Sequence, residues 1–365
     1  MQRGTVRRDR RNWYVLFWEK TSDGRRKKRV RLAPVNQNYP DKASVALLAA
    51  KIVDPYNRNQ IMPESSMSVL KFVEDVYLPF CQRQLRASTY KDYGDIVRVH
   101  LKDKGLDKIA LRDFKTVHAQ RILNKQITTI GHTSKQRIRS FLSGAFNHAL
   151  REGILSGENP IRAVKVYGNA PRVTMPAYSL GEIEDMVTAL QGTSKIVVAV
   201  AALTGLRLSE LRGLRWSDYD GEALHVTRSV WRTHVNEPKT RESVAPVPVL
   251  PILKEVLDRH RNNSADEAYI FSGPRGKPLN LANLARRVII DKLSEKKLEW
   301  KGWHAFRRGL ATNLSMLGVS ARTVQAILRH SQISTTMRHY IQSPDTESVE
   351  AMRKLGDSLL VFGIR

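Results

Sequence analysis

A single cysteine, Cys81, in 365 residues rules out a disulfide framework and agrees with a reducing interior. It follows Phe80 on an apolar helical face and reads as core filler rather than as a thiol nucleophile. Long hydrophobic runs are missing too. The longest, Ile196 to Leu206, is interrupted by Thr204 and Gly205, is too short to span a bilayer and predicts a buried helix. Residues Met1 to Asn12 contain neither an apolar core nor a small-residue cleavage site, so the expected location is cytoplasmic. There is no Walker A loop and no metal-ligand cluster, and neither a cofactor nor a metal is expected. Acidic residues are scarce: 35 Asp plus Glu face 61 Lys plus Arg, leaving a formal charge of +26. Self-repulsion on that scale opposes folding unless a polyanion is bound, and nucleic acid is the expected partner, with no membrane.

Changes of texture divide the chain. In residues 1–56, Trp13 to Glu19 is a β-prone aromatic run, Asp23-Gly24 is a hairpin turn, Arg25 to Leu32 is the return strand, and a helix is expected over Lys42 to Val53. The first 40 residues carry 12 basic and 3 acidic side chains, a net +9. The interleaved Trp13, Tyr14, Phe17 and Trp18 argue for a folded DNA-reading sheet over a disordered tail. Its expected DNA-binding residues are Arg25, Arg26, Lys27, Lys28 and Arg29. Residues 57–66 form a linker, and 67–165 a helical domain. There Ile138, Phe141, Leu142, Ala145, Phe146, Ala149 and Leu150 repeat at helical spacing, Thr133 or Ser134 is placed to cap, and Lys135, Arg137 and Arg139 are candidates for phosphate contact. Weaker helical patterns occupy Ser68 to Phe80, Ser88 to Leu101 and Leu111 to Asn124. A second linker, 166–177, precedes a mostly helical domain over 178–346, with strands expected at Ala223 to Trp231 and Glu242 to Leu250. Residues 347–365 form a tail. The expected class is multidomain and mainly α, with small β-sheets.

Four motifs in the last domain are specific. They are Thr204-Gly205-Leu206-Arg207-Leu208-Ser209-Glu210-Leu211, His304-Ala305-Phe306-Arg307, Leu328-Arg329-His330-Ser331, and Thr335-Thr336-Met337-Arg338-His339-Tyr340. They resemble the motifs of the tyrosine recombinase family, and within it the bacteriophage-type, lambda-like integrases that carry an N-terminal arm-binding domain. The likeness is strongest over residues 175 to 345. The family usually has Gly where Arg329 stands, a position expected to be backbone scaffold rather than chemistry.

The resemblance implies a site-specific recombinase that joins DNA strands through a 3′-phosphotyrosine. Arg207 and Arg307 match the pair that clamps the non-bridging phosphate oxygens, a task suited to planar, permanently charged guanidinium forks. Lys239 matches the lysine that protonates the departing 5′ oxygen, with Arg241 and Lys254 as competing cations. His304, three residues before Arg307 and so on the same helix face, would accept the phenolic proton or bond the phosphate. His330 would donate to a non-bridging oxygen, Glu210 would orient neighbouring cations, and Tyr340 would be the nucleophile. Its phenol needs adjacent cations and a base to react at neutral pH.

Two other readings compete. Ser320 to Ile341 parses as helix, turn, helix, as in a non-catalytic DNA-binding regulator, which leaves Arg207 and the His304/Arg307 pair unexplained. A type IB topoisomerase shares the phosphotyrosine chemistry without strand exchange. The resemblance also implies double-stranded attachment-site DNA of core and arm type, a tetramer on DNA, a DNA-bending host factor and an excision factor. Val349, Met352, Leu355 and Leu359 in the tail are at helical spacing for docking on a neighbouring subunit.

Overall fold

In the computed structural model, residues 1–58, 61–126, 130–168, 175–237, 245–262 and 268–333 are described. The chain forms two compact units, Met1–Arg172 and Val173–Arg365, and is mainly α with small sheets, as expected. Residues 1–56 and 67–165 both lie in the first unit.

The first unit opens with an antiparallel sheet of β1 (Thr5–Arg8), β2 (Asn12–Thr21) and β3 (Gly24–Pro34), in that order. Strand β2 alternates: Trp13, Val15, Phe17 and Glu19 are buried, while Tyr14, Leu16, Trp18 and Lys20 face the other way. Helix Ala46–Asn57 covers the buried face, packing Ala49 and Val53 on Val15 and Phe17. It starts four residues later than expected, because Asp41 accepts the Ser44 N–H at 2.9 Å and holds a turn there. It also runs further, keeping Pro55 in its last turn. Two described residues of the expected linker, Asn57 and Ser66, bond the N-terminal segment. Asn57 Nδ2 donates to the Gln2 carbonyl at 2.7 Å, and Ser66 Oγ accepts the Ser22 N–H at 3.3 Å.

Helices over 69–84, 87–101, 116–126 and His132–Arg151 follow. The last buries Ile138, Phe141, Leu142, Ala145, Phe146 and Ala149 against Phe72, Leu101 and Leu123, with Cys81 in the same core. Its N-cap is Gly131, without a side-chain cap bond. The expected caps Thr133 and Ser134 instead lie inside its first turn, since the helix begins at His132.

In the second unit, Ser179 and Glu182 form a capping box that starts helix Leu180–Ala189. The apolar run becomes helix Gly192–Thr204, buried along Val197 to Ala202. Around it pack Tyr178, Leu211, Leu214, Phe271, Ala305 and Phe306, drawn in part from helices Leu208–Leu211 and Trp303–Met316. Gly309 allows the latter helix to meet residue 178, since a Cβ there would lie 2.4 Å from the Tyr178 carbonyl oxygen. Helices Pro251–Asn262, 281–295 and Ala321–Leu328 complete the unit among the described residues. Among these residues no helix is long and apolar enough to cross a membrane.

The expected single strand Ala223 to Trp231 is divided. Strand β4 (Ala223–Leu224) pairs with β7 (Val247–Pro248), and β5 (Ser229–Trp231) pairs with β6 (His234–Asn236). The break falls where Asp218 accepts from the Thr227 hydroxyl at 3.2 Å and from the Arg228 guanidinium, pulling both residues out of a ladder. Of the expected strand Glu242 to Leu250 only Val247–Pro248 is paired among the described residues, and 242–244 lie outside them.

A buried carboxylate joins sheet to helices within the first unit. Glu19 is fully buried; Lys28 and Arg26 of β3 approach it at 3.0 and 3.1 Å, and Arg112 of the helical segment at 2.6 Å. Burial alone would raise its pKa, but the Lys28 hydrogen bond and the Arg112 and Lys28 charges outweigh that and hold it below the ordinary 4.5. Glu19→Ala leaves these cations uncompensated and should cost about 3–5 kcal/mol in urea denaturation. A carboxyl with a depressed pKa stabilises the fold above its unfolded pKa. The difference in urea midpoint between wild type and Glu19→Ala should therefore be full at pH 7 and shrink as the pH falls below 4.5.

Candidate active site

Helix Gly192–Thr204 ends on Gly205, whose φ of +61° is the left-handed conformation that stops a helix and turns the chain. The next helix, Leu208–Leu211, begins at once with Arg207 as its N-cap. Glu210, one turn in, folds back. Its Oε2 accepts the Arg207 backbone N–H at 2.9 Å, and its Oε1 accepts from the Arg207 guanidinium at 2.7 Å. Glu210 is buried, whereas the Arg207 side chain keeps 37% of its surface open to solvent. The short helix thus aims a cation outwards from a carboxylate anchored within.

Arg307 occupies the second turn of helix Trp303–Met316 and is buried. Its Nη1 donates to the Gly205 carbonyl at 2.8 Å, its Nη2 donates to the Leu328 carbonyl, and its Nε donates to His330 Nε2 at 3.2 Å. One guanidinium thereby connects three of the four motifs. Burial, then the neighbouring Arg207 charge, push its pKa down to about 9, with Glu210 opposing. His304 is exposed one turn before it, on the same helix face. His330 is half-buried, and toward Arg307 its Nε2 acts as acceptor.

Helix Ala321–Leu328 ends on Arg329 at φ +57°. The Arg329 N–H bonds the Ala326 carbonyl at 3.0 Å and the His330 N–H bonds the Gln325 carbonyl at 3.1 Å, the paired bonds of a Schellman turn. This turn sets His330 beside Arg307. Position 329 has the expected backbone role, and its side chain adds a contact to it. The Arg329 side chain is buried, and its Nη2 donates to Glu210 Oε2 at 2.8 Å. Burial alone would raise the Glu210 carboxyl, but the Arg329 and Arg207 charges and the Arg207 N–H hold it below the ordinary range. Sequence reasoning missed this contact. The available signal was a long cation in the left-handed position after a helix, where glycine is favoured.

Arg207, Glu210, His304, Arg307 and His330 are thus carried by three short segments of the second unit; Glu210 bonds Arg207 and Arg329, and Arg307 bonds His330 and the Gly205 carbonyl in the turn before Arg207. Lys239, Arg241 and Tyr340 lie outside the described residues, as do residues 334–341 of the helix-turn-helix reading and the tail residues Val349, Met352, Leu355 and Leu359.

The expected DNA-binding residues separate by face. Register places Arg25, Lys27 and Arg29 opposite Lys20, Trp18 and Leu16, on the solvent face, together with Arg7 and Arg31 opposite Tyr14. Arg26 and Lys28 stand opposite Glu19 and Phe17 and bind Glu19, so they belong to the other face. The solvent face therefore gains Arg7, Lys20 and Arg31, with Tyr14 and Trp18 between them; Arg29 lies 3.7 Å over the Tyr14 ring. In the helical segment Arg137 is exposed and bonds Asp92 at 3.0 Å, and Lys135 is half-buried. Arg139 is committed to the backbone, donating to the Val164 and Arg162 carbonyls at 2.7 and 3.0 Å.

The fold is that of DNA-strand integrases. The structure of the Tn1549 transposon integrase in complex with transposon right end DNA matches at a TM-score of 0.67 and 19% identity, over 80% of this chain and 100% of that one. A lambda integrase dimer bound to a COC′ core site matches at 0.60 and 18% identity, over 90% and 92%. In sequence, a XerC-like tyrosine recombinase of Caldanaerobacter subterraneus subsp. tengcongensis is 29% identical over 310 residues, 74% of this chain and 78% of the relative. Residues 180–347 match the phage integrase family model. Over residues 180–347 the chain carries a domain of this family, and these likenesses support a tyrosine site-specific recombinase.

Gly205 is where the two arginine motifs meet, and an added methyl would be opposed twice. Its Cβ would come within 2.9 Å of Leu310 Cδ2 and of Leu328 Cδ2, and the φ of +61° strains any L-residue. Gly205→Ala should destabilise the protein by about 1–3 kcal/mol in thermal denaturation. Cleavage should slow by more than the stability loss accounts for, because the carbonyl that fixes Arg307 shifts with the turn.

Proposed function

We propose that this chain cuts and rejoins DNA strands by attack of the Tyr340 phenol on a phosphodiester, integrating and excising a mobile element. The oxygen of Tyr340 bonds to phosphorus and the bond to the 5′ oxygen breaks, leaving a 3′-phosphotyrosine and, after proton transfer from Lys239, a free 5′ hydroxyl. A 5′ hydroxyl of another strand reverses the step without an external energy source. Arg207 and Arg307 hold the non-bridging oxygens and stabilise the charge that builds on them. His304 takes the phenolic proton or bonds the phosphate, and His330 bonds a non-bridging oxygen once its ring turns from Arg307. The bond from buried Arg307 to the Gly205 carbonyl carries this reading: it brings two guanidiniums a hundred positions apart to one site, with Glu210 fixing the first. A non-catalytic regulator has no use for that arrangement.

The solvent face of the N-terminal sheet supports a second DNA contact, at a site apart from the point of cleavage. Alternating cations and aromatic rings on a flat β-ribbon suit phosphates and base edges in a groove. On this reading residues 1–56 hold arm-type DNA and the helical segment and catalytic unit hold the core, within a tetramer on DNA. A DNA-bending host factor and an excision factor belong to the same proposal.

Tyr340→Phe loses one hydroxyl and keeps the cationic surface. It should bind core DNA as the wild type does and form no covalent adduct on a denaturing gel. An adduct of undiminished yield would place the nucleophile elsewhere. Incubating wild type with two cognate duplexes should yield joined recombinants, whereas relaxation of supercoils without joining would favour the topoisomerase reading.

Neutralising Lys27, Arg29 and Arg31 together to Gln removes three cations from the solvent face and leaves the Glu19 cluster intact. Affinity for arm-type DNA should drop by about tenfold or more, and the adduct on a short core duplex should persist. Unchanged arm affinity in a filter-binding assay would remove this face from recognition.

A further inference from the structure

We infer that Arg329 is a positioning residue for strand cleavage, acting through Glu210 to leave Arg207 available to the scissile phosphate. The inference rests on the phosphate-clamp reading of Arg207 and Arg307.

Two observations point to it independently. The first is local. At φ +57°, closing a Schellman turn, residue 329 occupies a conformation that glycine adopts freely and that strains a side chain bearing a Cβ. Holding an arginine there opposes folding, so the side chain must supply something in return. The second is where that side chain goes. Its guanidinium is buried against Glu210 Oε2 at 2.8 Å, with 1% of the side-chain surface exposed.

Glu210 is the shared partner. Oε1 accepts from the Arg207 guanidinium, while Oε2 accepts from both the Arg207 N–H and Arg329. A carboxylate balanced by one cation holds that cation firmly; balanced by two, it holds each less. With Arg329 on one oxygen, Glu210 stays fixed while its pull on Arg207 is divided. Arg207, the partly exposed member, is then free to turn toward a phosphate. Arg207 and Arg329, paired with Glu210, and Arg307, within range of their charges, set three cations against one anion, two more positive charges than negative. A glycine at 329 would lower that excess by one. The phosphate gains negative charge as the phenol attacks, so the extra cation favours the transition state over bound substrate.

The test uses the full chain on a core duplex nicked beside the cleavage point, so that the freed strand diffuses away and adduct formation is read as a single turnover. DNA affinity is measured separately by filter binding. Arg329→Gly relieves the backbone strain, which protects folding. It should slow adduct formation at saturating DNA by about tenfold or more, with affinity changed by less than about threefold. Adding Glu210→Gln should restore part of that rate, because it removes the carboxylate that now pulls on Arg207 alone. A merely structural Arg329 would make the second change harmful or additive.

A wild-type rate for Arg329→Gly, or a double variant no faster than the single one, overturns the inference. Should Arg329→Gly lose DNA binding altogether, Arg329→Gln decides. It keeps a donor for Glu210 and removes the charge, so a slow adduct at unchanged affinity supports the inference and a wild-type rate overturns it. Tyr340→Phe, run alongside, separates the two levels. An adduct from that variant would undo the underlying reading, whereas a wild-type Arg329→Gly beside an inert Tyr340→Phe would undo this inference alone.

Discussion

The buried guanidinium of Arg307 is the constraint on which the catalytic unit depends. A charge at that depth is costly unless its N–H groups are used, and here they are used on groups that must themselves be held in place. The Gly205 carbonyl, the Leu328 carbonyl and His330 Nε2 come from two helix ends and the turn beyond the second. Each helix end has carbonyls left without intrahelical partners, and Arg307 consumes one at each. The same bonds that stabilise the ends therefore set the distance between the segments that bear Arg207 and His330. Packing of Gly309 against Tyr178 fixes the depth of the helix that carries Arg307.

Much of this was legible in the chain. The three-residue spacing of His304 and Arg307 was enough to put both on one helix face, and the aromatic run from Trp13 to Glu19 with the Asp23-Gly24 turn was enough to identify the hairpin of β2 and β3. From sequence Arg307 was a phosphate ligand and nothing more. Its burial and its carbonyl partners depend on residues about 20 and 100 positions away, which no local pattern reports. The cations of β3 show a subtler limit. Read as a run from Arg25 to Arg29 they form one basic block, yet a strand sends alternate side chains to opposite faces. Which alternate set meets solvent was decided by Glu19, an acidic residue on another strand. The misplaced strand over Ala223 to Trp231 has a similar cause: β-propensity was present throughout, but Asp218 withdrew Thr227 and Arg228 from pairing.

Arg329 illustrates what a family pattern hides. A position occupied elsewhere by glycine suggests backbone duty, and the left-handed φ shows that this duty persists. The added side chain does something further, because the turn that requires φ > 0 also aims Cβ into the site. Strain at a single residue and charge balance in a catalytic cluster are thereby joined in one amino acid.

The Glu19 contacts and the solvent-face cations of the N-terminal sheet respond differently to ionic strength, because the Glu19 carboxylate is fully buried. Counterions screen exposed charges over about 8 Å at physiological salt and act far less on buried pairs. The proposed attraction of the solvent face for DNA would therefore weaken as salt rises. The Glu19 contact with Arg112, fully buried on one side and 12% exposed on the other, holds. Rising ionic strength would release the sheet from nucleic acid while leaving it seated on its own helices, so that an integrase shed from DNA by salt remains folded for the next encounter.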